Sequence, residues 1–391
     1  MRTLAVAVLC TTPLLMAWAG STQEFAPRDS GRAMLKLDSE LPDVPTNAHA
    51  GWNDDGDVRW VPAPRSILEA SGCLRPPIPS GAFLAIDSKG TIYFDGLDTK
   101  IWRLRADGHL QSRHWVLKYP GTTDVALAVG RDDEVWIGDI NRHVIEKLND
   151  DGALEPVAGQ VRHPGHVDGS GLIATFGIIS AIAADPNGGL LVADGELVRR
   201  VSPQGEVFTI AGSQPAEEGQ DASRRRARDG RGRAAVFGGI GGLAASATGD
   251  IYVTDTVGGY SAIRRIDKSG MVTTLMDAAH SHGAFRSLGR ISVDTDGSLL
   301  VVDNDDRGEL NRPRLLKVDL FGRFSTRFDP VAPEGHYDPK NSGIWGFVDM
   351  TLDSRSGRVY ATDYLATTIH RIDPNGEAYA PCFVAIAAQA R

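Results

Sequence analysis

The stretch IAADPNGGLLVADGELVRRVSPQG, running from Ile182 to Gly205, decides the fold. Two short apolar runs, Ile182–Ala184 and Leu190–Ala193, flank an Asp-Pro-Asn-Gly-Gly turn, and the second run stops at Asp194. A tight Gly195-Glu196 step leads into the basic and apolar run LVRRV, and a further Pro-Gln-Gly turn follows. Runs this short, rich in Val, Ile and Leu and bounded by Gly, Pro and Asp, are β-strands rather than helices. The same pattern returns as LAASATGDIYVTDTVGGYSAIRRIDKSG from Leu243 to Gly270.

Four more copies can be read: LAIDSKGTIYFDGLDTKIWRLRADG from Leu84, LAVGRDDEVWIGDINRHVIEKLNDDG from Leu127, ISVDTDGSLLVVDNDDRGELNRPRLLKVDLFG from Ile291, and MTLDSRSGRVYATDYLATTIHRIDPNG from Met350. Each occupies roughly 52 residues, the length of a four-stranded propeller blade with its loops. Both faces of a blade are covered by neighbouring blades, which explains why these strands are almost continuously apolar instead of strictly alternating. The expected fold is all-β: a six-bladed β-propeller of four-stranded antiparallel blades.

The rest of the composition agrees with a turn-rich globular chain. Its 391 residues include 44 glycines and carry a net charge of −9, which argues against a general nucleic-acid surface. Arg2 precedes an apolar run from Leu4 to Trp18, broken by Thr11, Thr12 and Pro13, and Ala17-Trp18-Ala19 forms a small-x-small site before Gly20. This predicts a signal peptide over residues 1–19, export to the periplasm or beyond, and no transmembrane segment in the mature chain. The run is shorter than the roughly 20 residues that a spanning helix needs. Cys10 follows the bulky Leu9, where lipidation wants a small residue.

Residues 20–56 are polar and irregular and read as a flexible leader to the propeller, which takes 57–391. With Cys10 removed, Cys73 and Cys382 stand at opposite ends of the domain. In an exported chain their pairing as a disulfide would staple the ring, and two unrelated buried thiols are the alternative. Whether the segment around Asp57 to Ala63 adds an outer strand to the last blade is left open by the sequence.

The IYVTD and LLVAD strands, the basic-apolar strands after them, and two Asp-Gly-x-Gly segments with a downstream Phe carry a resemblance. The segments are Asp168-Gly169-Ser170-Gly171 with Phe176 and Asp229-Gly230-Arg231-Gly232 with Phe237; Asn141-Arg142-His143 approximates a namesake tripeptide. Together they resemble the NHL-repeat family of β-propellers. The resemblance implies a six-bladed fold and no single activity, since such propellers serve as protein-binding domains, RNA binders and, in a few cases, lyases.

Three features bear on chemistry. One aspartate closes the second strand of every copy: Asp95, Asp139, Asp194, Asp255, Asp303 and Asp363. A short carboxylate at a strand end accepts backbone N–H groups, so this column is expected to fix the loop that follows it. The innermost-strand column Phe83, Ala126, Ala181, Gly242, Arg290 and Asp349 is small or apolar until its last two members. Arg290 and Asp349 either pair as a structural bridge near the axis or orient a polar ligand there, with Asp124 on the same rim. Finally, six arginines between Arg224 and Arg233, including Arg224, Arg225 and Arg226, form either an anion-binding loop or a solvated insertion balanced by Glu217, Glu218 and Asp221.

The close pairs His163 with His166 and His280 with His282 are metal-ligand suspects, but no His-Glu-x-x-His or nucleophile-elbow motif accompanies them. The expected function is a monomeric binding scaffold for a protein or anionic ligand, with no cofactor. The alternative is a lactonase-like or lyase-like propeller enzyme that holds Ca²⁺ or Zn²⁺.

Overall fold

The computed structural model describes residues 58–62 and 82–385, apart from short connecting stretches at 96–99, 107–108, 117–124, 151, 214–226, 258–259, 280, 282–284, 306–311, 330–345, 364–368 and 380. The predicted signal peptide and leader, Cys10, Cys73, Asp124, Arg224, Arg225, Arg226, His280 and His282 therefore lie outside the described residues. Among the described residues, no helix is long and apolar enough to cross a membrane.

The protein is a six-bladed β-propeller. Its innermost strands are Leu84–Ile86, Val125–Val129, Ile179–Ala184, Ile240–Ala245, Leu288–Val293 and Phe347–Asp353. Each is followed outward by antiparallel neighbours in sequence order, as in the third blade, where Leu190–Asp194, Leu197–Val201 and Val207–Ala211 complete the sheet. The fourth blade gains a short outermost piece, Gly230–Arg231, which pairs with Met271 and Val272.

The ring closes on the first blade rather than the last. Val58–Pro62 pairs with the C-terminal strand Pro381–Ala385 and, through Val58 and Arg59, with Leu110 and His109 of the first blade's outer strand His109–Val116. The segment near Asp57 is thus an added outer strand, but of the first blade, and both ends of the domain meet in one six-stranded sheet.

Packing follows the repeat. Six apolar clusters occupy the six seams between blades, such as Trp136, Ile145, Phe176 and Ile179 between the second and third. Each fully buried aliphatic or Phe side chain contributes roughly 1.5–3 kcal/mol. The seams thus supply the main driving force for ring closure, and they hold the innermost strands close enough to form a common axial wall.

Candidate functional site

The six innermost strands surround an axial cavity of about 270 Å³. Phe83, Ala126, Ala181, Arg290 and Asp349 are among its lining residues, as the sequence column requires. In the third to sixth blades a register shift falls at this level, at Ile179/Ala181, Ile240/Gly242, Leu288/Ile291 and Phe347/Asp349. An irregularity of this kind re-aims the side chains that follow it.

Arg290 and Asp349 form an ion pair, the carboxylate buried and the guanidinium partly so, with Arg290 Nε 3.0 Å from Asp349 Oδ1. Arg290 Nη1 also donates to the carbonyls of Ser180 (3.0 Å) and Gly241 (3.1 Å), and its guanidinium lies 5.0 Å from the Phe83 ring centre. Asp349 Oδ2 accepts the Leu84 N–H at 2.7 Å. One side-chain pair therefore ties together the third, fourth, fifth, sixth and first blades. Burial pushes the Asp349 carboxyl above the usual carboxylate range, against the opposing pull of Arg290 and the Leu84 N–H.

Close strand approach makes this reach possible. A Cβ on Gly242 would stand 2.9 Å from the Gly289 carbonyl oxygen and 3.0 Å from the Arg290 Cα, so any side chain there would push the fifth blade away.

The aspartate column is structural, with one correction to the expectation. All six carboxylates are buried, and among the described residues Asp139 holds the loop that follows it, through the N–H groups of Asn141 and Arg142. The others reach back to the chain entering their own blade's innermost strand: Asp95 to Phe83, Asp194 to Gly177, Asp255 to Gly238 and Gly239, Asp303 to Arg286 and Ser287, and Asp363 to Gly346. The reason is pairing: Asp194 stands opposite Ile179 and Asp255 opposite Ile240, beside the incoming backbone.

The two Asp-Gly-x-Gly segments are matching clamps. In the third blade Arg199 bridges Asp168 (3.0 Å) and Asp194 (2.8 Å) over the Phe176 ring; in the fourth, Arg264 bridges Asp229 (2.8 Å) and Asp255 (3.0 Å) over Phe237. Asp168 also accepts from the backbone and hydroxyl of Thr209, and Asp229 from those of Thr274, which docks each segment on its blade's outer strand. LVRRV and AIRRI have the pattern of ordinary half-exposed strands, so the burial of these arginines is not legible in the sequence. Arg199 Nη2 additionally donates to the Val167 carbonyl at 2.7 Å.

The third blade departs from the fourth in two ways. First, His166 stands where the fourth blade has Ala227, and its Nδ1 lies 2.9 Å from Asp194 Oδ2, with the side chain 28% exposed. A carboxylate on Nδ1 leaves Nε2 as the lone-pair nitrogen of the neutral ring. Its sequence neighbour His163 is exposed, with Nδ1 3.2 Å from the Val161 carbonyl. Second, exposed apolar side chains gather here: Val161, Val167, Leu172, Ile173, Ile178 and Phe208, with Leu172 69% and Ile173 63% exposed. The fourth blade places Arg233 and Ala234 where the third has Leu172 and Ile173, and Arg233 donates to Asp168 at 2.9 Å, joining the two clamps. Among the described residues, no group of three or more His, Cys, Asp or Glu is placed to hold a metal ion, so no residue set can be assigned to Ca²⁺ or Zn²⁺.

No protein-family model matches the chain, and no curated protein sequence matches it. Solved structures do. A streptogramin B lyase is 15% identical with a TM-score of 0.50, the match covering 81% of this chain and 86% of that one. A gluconolactonase from Xanthomonas campestris is 12% identical with a TM-score of 0.50, covering 85% and 96%. A virginiamycin B lyase from Staphylococcus aureus is 15% identical with a TM-score of 0.48, covering 80% and 86%. At these identities the likeness is one of fold, and the fold shared is the β-propeller.

Proposed function

We propose that this chain is an exported, monomeric propeller of the NHL-repeat type that acts as a binding scaffold, contacting a protein or anionic ligand through the loops around its third blade. The observation that carries the reading is the exposure of Val161, Val167, Leu172, Ile173, Ile178 and Phe208 in and just before the third blade. Several large apolar side chains left in water within one part of the chain are a usual sign of a contact surface. The arginine stretch that follows this blade supplies the charged border, with Arg228, Arg231 and Arg233 exposed. Arginine forks suit carboxylate or phosphate groups on a partner.

One observation favours the second reading, a divalent-metal-dependent propeller enzyme of the lactonase or lyase kind. His166 is oriented by Asp194 and keeps Nε2 for a proton or a metal ion. In that reading Ca²⁺ or Zn²⁺ would polarise a substrate carbonyl.

The two readings separate in one experiment. A photo-crosslinking amino acid placed at Ile173 in the exporting cell should yield a discrete adduct, identified by mass spectrometry and lost when Leu172 and Phe208 are both changed to Asp. Absence of an adduct, together with metal-dependent hydrolysis of a lactone that His166→Ala abolishes, would replace the scaffold with the enzyme.

A further inference from the structure

The wall of the axial cavity is made of peptide edges. Each innermost strand is the last strand of its sheet, so the edge that it turns to the axis has no strand beside it. The turn that follows the strand shows which backbone groups lie on that edge. In five blades the N–H groups of Asp87, Gly130, Asp185, Ser246 and Asp294 donate back across this turn, towards the second strand. Backbone direction alternates along an antiparallel strand, so the residue before each of them, Ile86, Val129, Ala184, Ala245 or Val293, points its N–H and C=O away from the sheet and towards the axis. The residue two positions earlier does the same. Leu84 bears this out, because its N–H leaves its own sheet for Asp349 of the sixth blade.

Small side chains leave these edges within reach. Ala126, Ala128, Ala181, Ala183 and Ala244 are part of the lining, and the cavity holds about 270 Å³. That is the space of about nine waters at roughly 30 Å³ each. Among the described residues, Arg290 and Asp349 are the only charged groups in the lining, and they neutralise each other at 3.0 Å. Asp349 spends one oxygen on Arg290 and the other on the Leu84 N–H. Arg290 spends Nε on Asp349 and Nη1 on the carbonyls of Ser180 and Gly241, and its side chain stays 14% exposed. Its Nη2, which carries two of the five guanidinium donors, has no acceptor among the described residues.

A molecule seated here must meet three conditions. It must donate and accept at the spacing of a strand edge, since peptide groups withdrawn from water need partners. It must bring an acceptor to Arg290 Nη2. It must carry no net charge, because a carboxylate on Nη2 would stand beside that of Asp349 and an ammonium would meet Arg290.

We infer that the axial cavity binds a short, extended, uncharged stretch of peptide with small side chains, hydrogen-bonded along one innermost strand and placing a carbonyl on Arg290 Nη2. This is strand addition turned inward: backbone pairing supplies the affinity, and the confined space selects the side chains. Ile86, Val129, Ala184, Ala245 and Val293 line the cavity and end their strands, so the peptide enters from the face opposite the aspartate column. The site shares no residue with the third-blade surface and does not depend on its role.

The test is amide-resolved NMR on the full chain, titrated with N-acetylalanine methylamide, N-acetylalanine methyl ester, glycerol and acetate. The methylamide is expected to bind and to move the N–H resonances of Ile86, Ile182, Leu243 and Ile291 rather than those of residues 161–178. The ester lacks one donor and should bind about fivefold more weakly, the cost of one hydrogen bond. Arg290→Lys keeps the charge but has no Nη2, and should weaken methylamide binding by a similar factor. Its melting temperature shows whether it has folded; the shift map and the ester comparison decide the matter without it. No binding, shifts confined to other residues, an ester that binds equally well, or glycerol or acetate binding more tightly than the methylamide would each overturn the assignment. None of these outcomes bears on the crosslink at Ile173, so the two readings fail independently.

Discussion

Arg290 Nε stands 3.0 Å from Asp349 Oδ1 across the seam between the fifth and sixth blades, and the two side chains together reach three further blades. Removing one partner leaves the other charge buried, with its backbone contacts broken or misaligned. Arg290→Met is therefore expected to destabilise the domain by about 3–5 kcal/mol, whereas Arg290→Met/Asp349→Leu should recover much of that loss. Denaturant unfolding of the four members of this cycle measures the coupling. A double variant destabilised by the sum of the two single losses would show that the pair is not a unit.

The six copies were legible because strand, turn and closing aspartate are local patterns that recur, and Arg290 and Asp349 were visible as breaks in a small-residue column. Three things were not. The column carboxylates bind mostly the incoming chain because Asp194 and its counterparts are placed by cross-strand pairing, which spacing alone does not reveal. Arg199 and Arg264 are buried because the Asp-Gly-x-Gly segments fold back over them, a contact spanning about thirty residues of chain in each case. A polar cleft between the fifth and sixth blades is assembled from strands and turns of both, and no single stretch of sequence contains it.

Two glycines at positive φ should respond differently to alanine. Gly212 has φ +97°, and a Cβ there would stand 2.2 Å from the Glu196 carbonyl oxygen; Gly297 has φ +83° with nothing within 4 Å. Gly297→Ala should cost only the left-handed backbone penalty, about 1–2 kcal/mol. Gly212→Ala must also displace backbone at the third blade's outer strand and should cost more, on the order of 3 kcal/mol. Thermal unfolding of the two variants side by side checks the order.

Acid should weaken the two clamps. Burial raises the Asp168 and Asp229 carboxyls, but the backbone N–H groups of Thr209 and Thr274 and the guanidinium groups of Arg199 and Arg264 outweigh it and hold both below the usual carboxylate range. A lowered folded value means that the carboxylate stabilises the fold fully above its unfolded value near 4, and that this contribution is lost as pH falls through the folded value. Asp168→Asn/Asp229→Asn should thus be less stable at neutral pH, by on the order of 1 kcal/mol per site after discounting for the 46% exposure of Asp229, and its stability should fall less steeply below about pH 4. Urea midpoints recorded from pH 7 down to pH 2.5 provide the comparison.

Ring closure rests on Val58–Pro62 lying between the C-terminal strand Pro381–Ala385 and the first blade. Ending the chain at Ala380 removes every backbone pair between Val58–Pro62 and its C-terminal partner, and should raise hydrogen exchange at Val58–Pro62 and His109–Val116 while the third and fourth blades stay protected. Cys382 stands opposite Val61 on this closing strand. The Cys73–Cys382 disulfide expected from the sequence is not seen, since the cysteines are not in disulfide contact, and closure rests on the strand pairing. Non-reducing mass spectrometry should therefore find two free thiols, and Cys382→Ser should leave the melting temperature unchanged under oxidising and reducing conditions alike; a linked pair would overturn this.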